Sequence, residues 1–309
     1  MSIKLSIVSP VYMAEKIVPE LISRIKLAVD EITDNYEIIL VEDGSPDNSW
    51  QEIEKICAID NKVIGIKLSR NFGQHYAISA GIDESKGDYV IVMDCDLQDD
   101  PKYITQMVIE ANKGFDIVYT SKISRKHSGF KNISALIFTK IFNYLADNQT
   151  SRTDVGSFSL LSRKVVEAYK KIKDIRRHYL MILRQLGFSH TYVTIEHKER
   201  FEGKSSYNIK KLLNHAIDGI TFNSTKLLRI SVGIGFSMCI IAIFWAMYLL
   251  FLYMFRDIPQ GYTSIMVMLL LSTGIILISI GITGIYIGNV FLQVKEHPLY
   301  IIDKKINSL

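Results

Sequence analysis

Two long uncharged stretches govern what this chain can become. From Ile230 to Phe255 (ISVGIGFSMCIIAIFWAMYLLFLYMF), and again from Gly261 to Val294 (GYTSIMVMLLLSTGIILISIGITGIYIGNVFLQV), no residue carries a charge. Roughly 20 apolar residues span a bilayer, and helices of a soluble core rarely stay uncharged for so long. The linker RDIPQ is short and holds Pro259, so the two spans should form an antiparallel hairpin. Lys226 and Arg229 precede the first span, and Lys295, Lys304 and Lys305 follow the second, whereas the tip has only Arg256 beside Asp257. The positive-inside rule then puts both ends of the hairpin in the cytoplasm. The N-terminal MSIKLSIVSPVY has too short an apolar run for a signal peptide and continues into domain-like sequence.

The region before the hairpin alternates strand and helix patterns. KLSIVSPVY, YEIILVEDGS, VIGIKLS and DYVIVMDCD read as strands. EKIVPELISRIKLAVDEI, PDNSWQEIEKICAI and FGQHYAISAGIDES read as the helices between them, the first with apolar spacing at Ile17, Leu21, Ile25 and Val29. Such an order predicts a mainly parallel sheet with helices on both faces, its ligands beyond the carboxyl ends of the strands. The polar clusters PVYMAE, VEDGS, LSRNFGQ and DCDLQDD all fall at those ends. Four clusters on one edge indicate a site.

Several chemistries are disfavoured. No GxGxxG follows the first strand and no Walker lysine motif occurs, which argues against dinucleotide and P-loop enzymes. Cys57, Cys95 and Cys239 form no CxxC pair, which fits a reducing compartment and opposes a disulfide framework or a thiolate zinc site. The seven histidines lack metal-ligand spacing. Lys+Arg at 36 against Asp+Glu at 32 gives no reason to expect nucleic acid as a partner.

The stretch VMDCDLQDD concentrates negative charge after an apolar run. In an extended chain Asp94 and Asp96 would share a face while Cys95 turns into the core. Two carboxylates with the amide oxygen of Gln98 suit a hard divalent cation such as Mg2+ or Mn2+ that keeps some waters. Asp99 and Asp100 precede Pro101, where capping the next helix is the expected role.

These blocks, with SIVSPVY…E, VEDGSPDNS, LSRNFGQHYAISAGIDESKGDYVIVMDCDLQDDP, GSFSLLSR, ERFEGKSSY and the tail GIYIGNVFLQVKEHPLYIID, resemble glycosyltransferase family 2. Within it the resemblance is to the polyprenyl-phosphate branch: undecaprenyl-phosphate glucosyltransferases and dolichol-phosphate mannose synthases. The resemblance implies an α/β GT-A fold, a Rossmann-like mixed and mainly parallel sheet, over residues 1–208. It would be followed by an amphipathic interfacial region at 209–228, a transmembrane hairpin at 229–294 (spans near 230–255 and 262–290) and a cytoplasmic tail at 295–309. It further implies inverting, metal-dependent transfer from a nucleoside-diphosphate sugar, such as UDP-glucose or a related hexose donor, to polyprenyl phosphate. The product would be a polyprenyl-phosphate monosaccharide for cell-surface glycan modification, made at a bacterial inner membrane. Pro10, Tyr12, Glu15, Asp43 and Asp94 match nucleotide-holding positions, and Asp96 and Gln98 match the metal-binding pair. Asp96, Asp154 and Arg200 match catalytic positions, and Lys122, Arg125, Arg200, Lys204 and Ser205 fall where acceptor phosphate or diphosphate is held.

The sequence departs from the family pattern in three places. Met13-Ala14 replaces an Asn-Glu, Lys122 stands where an arginine is usual, and GKSSY replaces GESKY at Gly203–Tyr207. The reaction itself must bring two anions together. A lipid phosphomonoester is largely a dianion near pH 7, already nucleophilic, so cations rather than a strong base should dominate the site. FKNISALIFTKIFNYLA and NIKKLLNHAIDGITFNSTKLL each carry an apolar face suited to the headgroup plane. Gly274, Gly281, Gly284 and Gly288 permit close packing within the hairpin or in a homo-oligomer. Two other readings stand beside this one. A processive polysaccharide synthase would carry QxxRW where this chain has LMILRQLGF; a non-catalytic scaffold would have Met13 and Ala14 as its best evidence.

Overall fold

In the computed structural model, described for residues 4–122, 155–175, 177–196, 224–255 and 261–307, an eight-stranded mixed sheet organises the N-terminal part. The first half runs β1 (Leu5–Val11), α1 (Val18–Asp30), β2 (Tyr36–Glu42), α2 (Ser49–Ile59), β3 (Val63–Leu68), α3 (Gln74–Glu84) and β4 (Tyr89–Val92). Then come α4 (Tyr103–Asn112), β5 (Ile117–Lys122), β6 (Val155–Ser162), α5 (Arg163–Lys171), α6 (Tyr179–Leu186) and β7 (His190–Ile195). The strand order is β7-β5-β6-β4-β1-β2-β3-β8, with β8 at Ile302–Ile306. Neighbours β4, β1, β2 and β3 are parallel, as are β5 and β7; β6 and β8 run antiparallel to their partners.

Helices cover both faces, as the alternating pattern predicts. Leu5, Ile7, Ile38 and Leu40 face α1, α2 and α4 through Leu21, Ile25, Ile53 and Met107. Val8, Ile39, Val41 and Val90 face α3, α5 and α6 through Ala77, Ile78, Val166 and Ile182. With both faces buried, β1 and β2 have no exposed residue, which accounts for their near-continuous hydrophobic composition.

Two boundaries differ from the sequence reading. The fourth strand stops at Val92, four residues short of Asp96. The tail at 295–309 contains β8, which pairs with β3. Lys304 and Lys305, read above as membrane-flanking charges, reach Glu54 at 2.7 Å and Glu84 at 2.5 Å. Asn307 closes the strand: its Nδ2 donates to the carbonyls of Cys57, Val63 and Asp60 at 2.7, 2.9 and 3.2 Å.

The described residues 224–255 and 261–296 belong to a second compact unit. Its described part consists of α7 (Lys226–Phe255) and α8 (Tyr262–Val294). Thirty residues of helix reach about 45 Å, and both helices hold segments apolar enough to cross a membrane, 226–245 and 271–294. Ser231 Oγ donates to Ser279 Oγ at 3.2 Å and Tyr286 Oη to the Ser224 carbonyl at 2.7 Å, polar ties that suit an apolar medium. Gly274, Gly281, Gly284 and Gly288 meet no neighbour within 4 Å of where a Cβ would stand, so these ties, not the glycines, mark the described contact. The amphipathic stretch at 130–146, and residues 208–223 of the one at 208–228, lie outside the described residues.

Candidate active site

A cavity of about 330 Å³ opens beyond the carboxyl ends of β1, β2 and β4. Pro10 and Tyr12 line it from β1, Asp43 from β2, Asn71, Gly73 and Gln74 from the turn into α3, and Asp94, Cys95 and Asp96 from the segment after β4. Tyr12 is 47% exposed, a ring offered to solvent at the cavity wall.

The loops around it are laced to one another. Asp43 accepts backbone N–H groups from Phe72 at 2.7 Å and Gly73 at 2.8 Å, one on each oxygen. Gly44 follows at φ +63°, and a Cβ there would stand 2.3 Å from the Asn71 nitrogen, so only glycine fits. The two loops therefore pack backbone against backbone. On the other side the Ala14 N–H donates to Ser49 Oγ at 2.9 Å and Met13 N–H to Ser45 Oγ at 3.1 Å. Glu15 accepts from the amide N–H and side chain of Asn48 at 3.3 and 3.2 Å. Burial raises the Asp43 carboxyl above the usual range, partly offset by the N–H groups of Phe72 and Gly73.

Asp94 is held differently. Gln74 Nε2 donates to Oδ1 at 2.6 Å and Ser157 Oγ to Oδ2 at 2.8 Å. Burial, reinforced by the nearby charges of Asp96 and Asp99, lifts its pKa to about 6 against these two donors. Asp96 Oδ1 accepts the Gln98 N–H at 3.2 Å, and Leu97 between them adopts φ +55° while its side chain is buried in the core. Asp94 and Asp96 thus reach one cavity through a turn rather than through strand alternation. Cys95 packs against the core and shows an edge to the cavity, its thiol pushed up to about 12 by burial. Asp100 accepts the Lys102 N–H at 3.1 Å in the turn before α4, but the N-cap position of that helix is Lys102 and no side chain caps it, so the expected capping role is not met.

Of the expected nucleotide residues, Pro10, Tyr12, Asp43 and Asp94 come together at the cavity; Glu15 engages Asn48 and is not among the lining residues. Of the expected metal pair, Asp96 lines the cavity; Gln98 is not among the lining residues and meets Asp96 through its backbone N–H. Lys122 ends β5; its side chain, and Arg125, Asp154, Arg200, Lys204 and Ser205, lie outside the described residues. The sequence reading named the RNFGQ and GSFSLLSR blocks but not Asn71, Gly73, Gln74 or Ser157 as individual site residues. Position at the same strand edge was the available signal for the first three.

Residues 6–170 match the family described as Glycosyl transferase family 2. The chain is 35% identical over 304 residues to the glycosyltransferase YkcC of Bacillus subtilis, covering 98% of this chain and 94% of that one. It is 33% identical over 315 residues to an undecaprenyl-phosphate 4-deoxy-4-formamido-L-arabinose transferase of Aeromonas hydrophila, again covering 98% and 94%. Among solved structures, glucosyl-3-phosphoglycerate synthase from Mycobacterium tuberculosis superposes with a TM-score of 0.48 at 16% identity, over 71% of this chain and 78% of that one. The chain belongs to glycosyltransferase family 2, is a glycosyltransferase, and is related to undecaprenyl-phosphate sugar transferases.

Proposed function

We propose that the protein transfers a hexose from a nucleoside diphosphate, with uridine favoured, to undecaprenyl phosphate, inverting the anomeric carbon. The observation that carries this reading is the convergence of Tyr12, Asp94 and Asp96 on one cavity in a chain that also holds two bilayer-length apolar helices. Near-full-length likeness to an undecaprenyl-phosphate sugar transferase supports the lipid acceptor. Tyr12 offers a face for the base, and Asp94 offers acceptor positions to sugar or ribose hydroxyls.

Among the described residues no three His, Cys, Asp or Glu side chains are grouped to enclose an ion. Asp96 with Gln98 is an oxygen donor set, and the crowding of Asp94, Asp96 and Asp99 favours added positive charge. That set fits Mg2+ or Mn2+ completed by diphosphate oxygens and water. Such a cation would offset the charge of the departing diphosphate. Arg200 and Lys204 would assist there, Lys122, Arg125 and Ser205 would hold the acceptor phosphate, and Asp154 would sit between donor sugar and acceptor.

The reading places the enzyme in a bacterial inner membrane, crossing twice with its sheet in the cytoplasm. Support for two crossings comes from β8: strands on both sides of the apolar helices belong to one sheet, so the number of crossings between them is even. The test is to incubate full-length protein with labelled UDP- and GDP-sugars, undecaprenyl phosphate and Mg2+ or Mn2+. An acid-labile, organic-phase monosaccharide lipid is expected, and its absence with every donor sinks the proposal. Asp96→Asn should lower turnover at least 100-fold while the melting temperature is unchanged; retained turnover removes the metal role.

A further inference from the structure

Asp94 lies among carboxylates and yet is gripped on both oxygens by side-chain donors. Each oxygen takes one donor, and the donors come from different elements: Gln74 from the first turn of α3, Ser157 from β6. A carboxylate gripped on both oxygens cannot turn about its own axis, and its remaining lone pairs keep fixed directions at the cavity that it lines.

Ser157 is itself fixed from behind. Ser159 Oγ donates its single proton to the Ser157 carbonyl at 3.0 Å. In its 2.7 Å contact with Tyr179 Oη it must therefore accept, so the phenol is the donor. Tyr179 is fully buried at the start of α6, out of reach of water. The direction of the chain is thus Tyr179 to Ser159 to the Ser157 backbone, with the Ser157 hydroxyl passing on to Asp94. Ser157 has no second proton for a ligand; its hydroxyl is committed to Asp94.

We propose that Gln74 and Ser157 are positioning residues for Asp94 toward the bound nucleotide, and that Tyr179 acts through Ser159 to hold Ser157 in place. This rests on the nucleotide-site reading given above. Their role is geometric: the four residues set where the remaining lone pairs of Asp94 point, and none of these hydrogen bonds is made to a ligand.

The experiment measures the dissociation constant of UDP and of GDP, each with Mg2+ or Mn2+, for full-length protein by calorimetry. Gln74→Ala and Ser157→Ala should weaken nucleotide binding about 10-fold, and Tyr179→Phe about 3-fold. Ser157→Thr, which keeps the hydroxyl, should restore binding to within about 3-fold of the parent. In an Asp94→Asn background the Gln74→Ala step should cost nothing further, because its effect passes through Asp94. Lost melting temperature with unchanged nucleotide affinity would make these residues merely structural and overturn the proposal, as would full additivity with Asp94→Asn. If the parent protein binds neither nucleotide, the nucleotide-site reading itself falls, an outcome separable from parental binding with unaffected variants.

Discussion

Asp43 and Asp94 line the same cavity, both are pushed toward the neutral form by burial, and both accept two hydrogen bonds. They differ in what donates. Asp43 faces two backbone N–H groups, which can only donate, and so serves as a rivet between the β2–α2 and β3–α3 loops. Asp94 faces a side-chain amide and a hydroxyl, and the hydroxyl can turn round to accept. One aspartate ties two loops together; the other is held at a cost by burial and neighbouring charge, with a ligand role proposed above. Identical substitutions at the two positions should therefore have opposite signs.

The largest effect is expected at the rivet's neighbour. Gly44→Ala forces a left-handed residue and drives a Cβ into immovable backbone, so thermal denaturation should show a loss above about 3 kcal/mol. Asp43→Asn presents an NH2 to a backbone N–H and should cost about 2 kcal/mol, measured the same way. Asp94→Asn should instead stabilise by about 2 kcal/mol at pH 7.5, a rise of roughly 4–8 °C in melting temperature, while weakening nucleotide binding. The sign follows from its raised carboxyl. A group whose folded pKa of about 6 exceeds its ordinary 3.8 adds stability below pH 4 and loses it as pH climbs through 6. The gain from Asp94→Asn should therefore vanish on acidification from pH 7.5 to 4; a pH-independent gain would break the contrast. The smallest effect is at Met13, at φ +53° where the family's usual residue is asparagine. Met13→Asn tolerates that conformation better and should add about 0.5–1 kcal/mol.

The alternation of apolar strands and amphipathic helices made the parallel core legible, because both faces of β1 and β2 are buried and the hydrophobic runs say so. The polar clusters holding Tyr12, Asp43, Asp94 and Asp96 were legible because strand ends on one edge converge, and the family resemblance picked out Tyr12 and Asp43 within them. What escaped is non-local. Gln74 lies 20 residues from Asp94 and Ser157 lies 63, and no periodicity encodes such pairings. The fourth strand looked longer than it is because pairing with β1 and β6 ends at Val92 and the chain turns at 95–96, although the apolar-to-acidic pattern runs on unbroken. β8 escaped because IDKKI, with three of its five residues charged, pairs on one side only and has no buried alternation to reveal it.

That last strand has a consequence for the order of synthesis. Asn307 and the Val63 carbonyl that it binds are 244 residues apart. At about 5–20 residues per second, β3 leaves the ribosome roughly 10–50 s before its edge partner exists. Throughout that interval, while both apolar helices are being made, β3 presents an unpaired row of backbone groups. The nascent domain is thus finished last at its edge, and a chain halted after its final apolar helix would carry an open sheet.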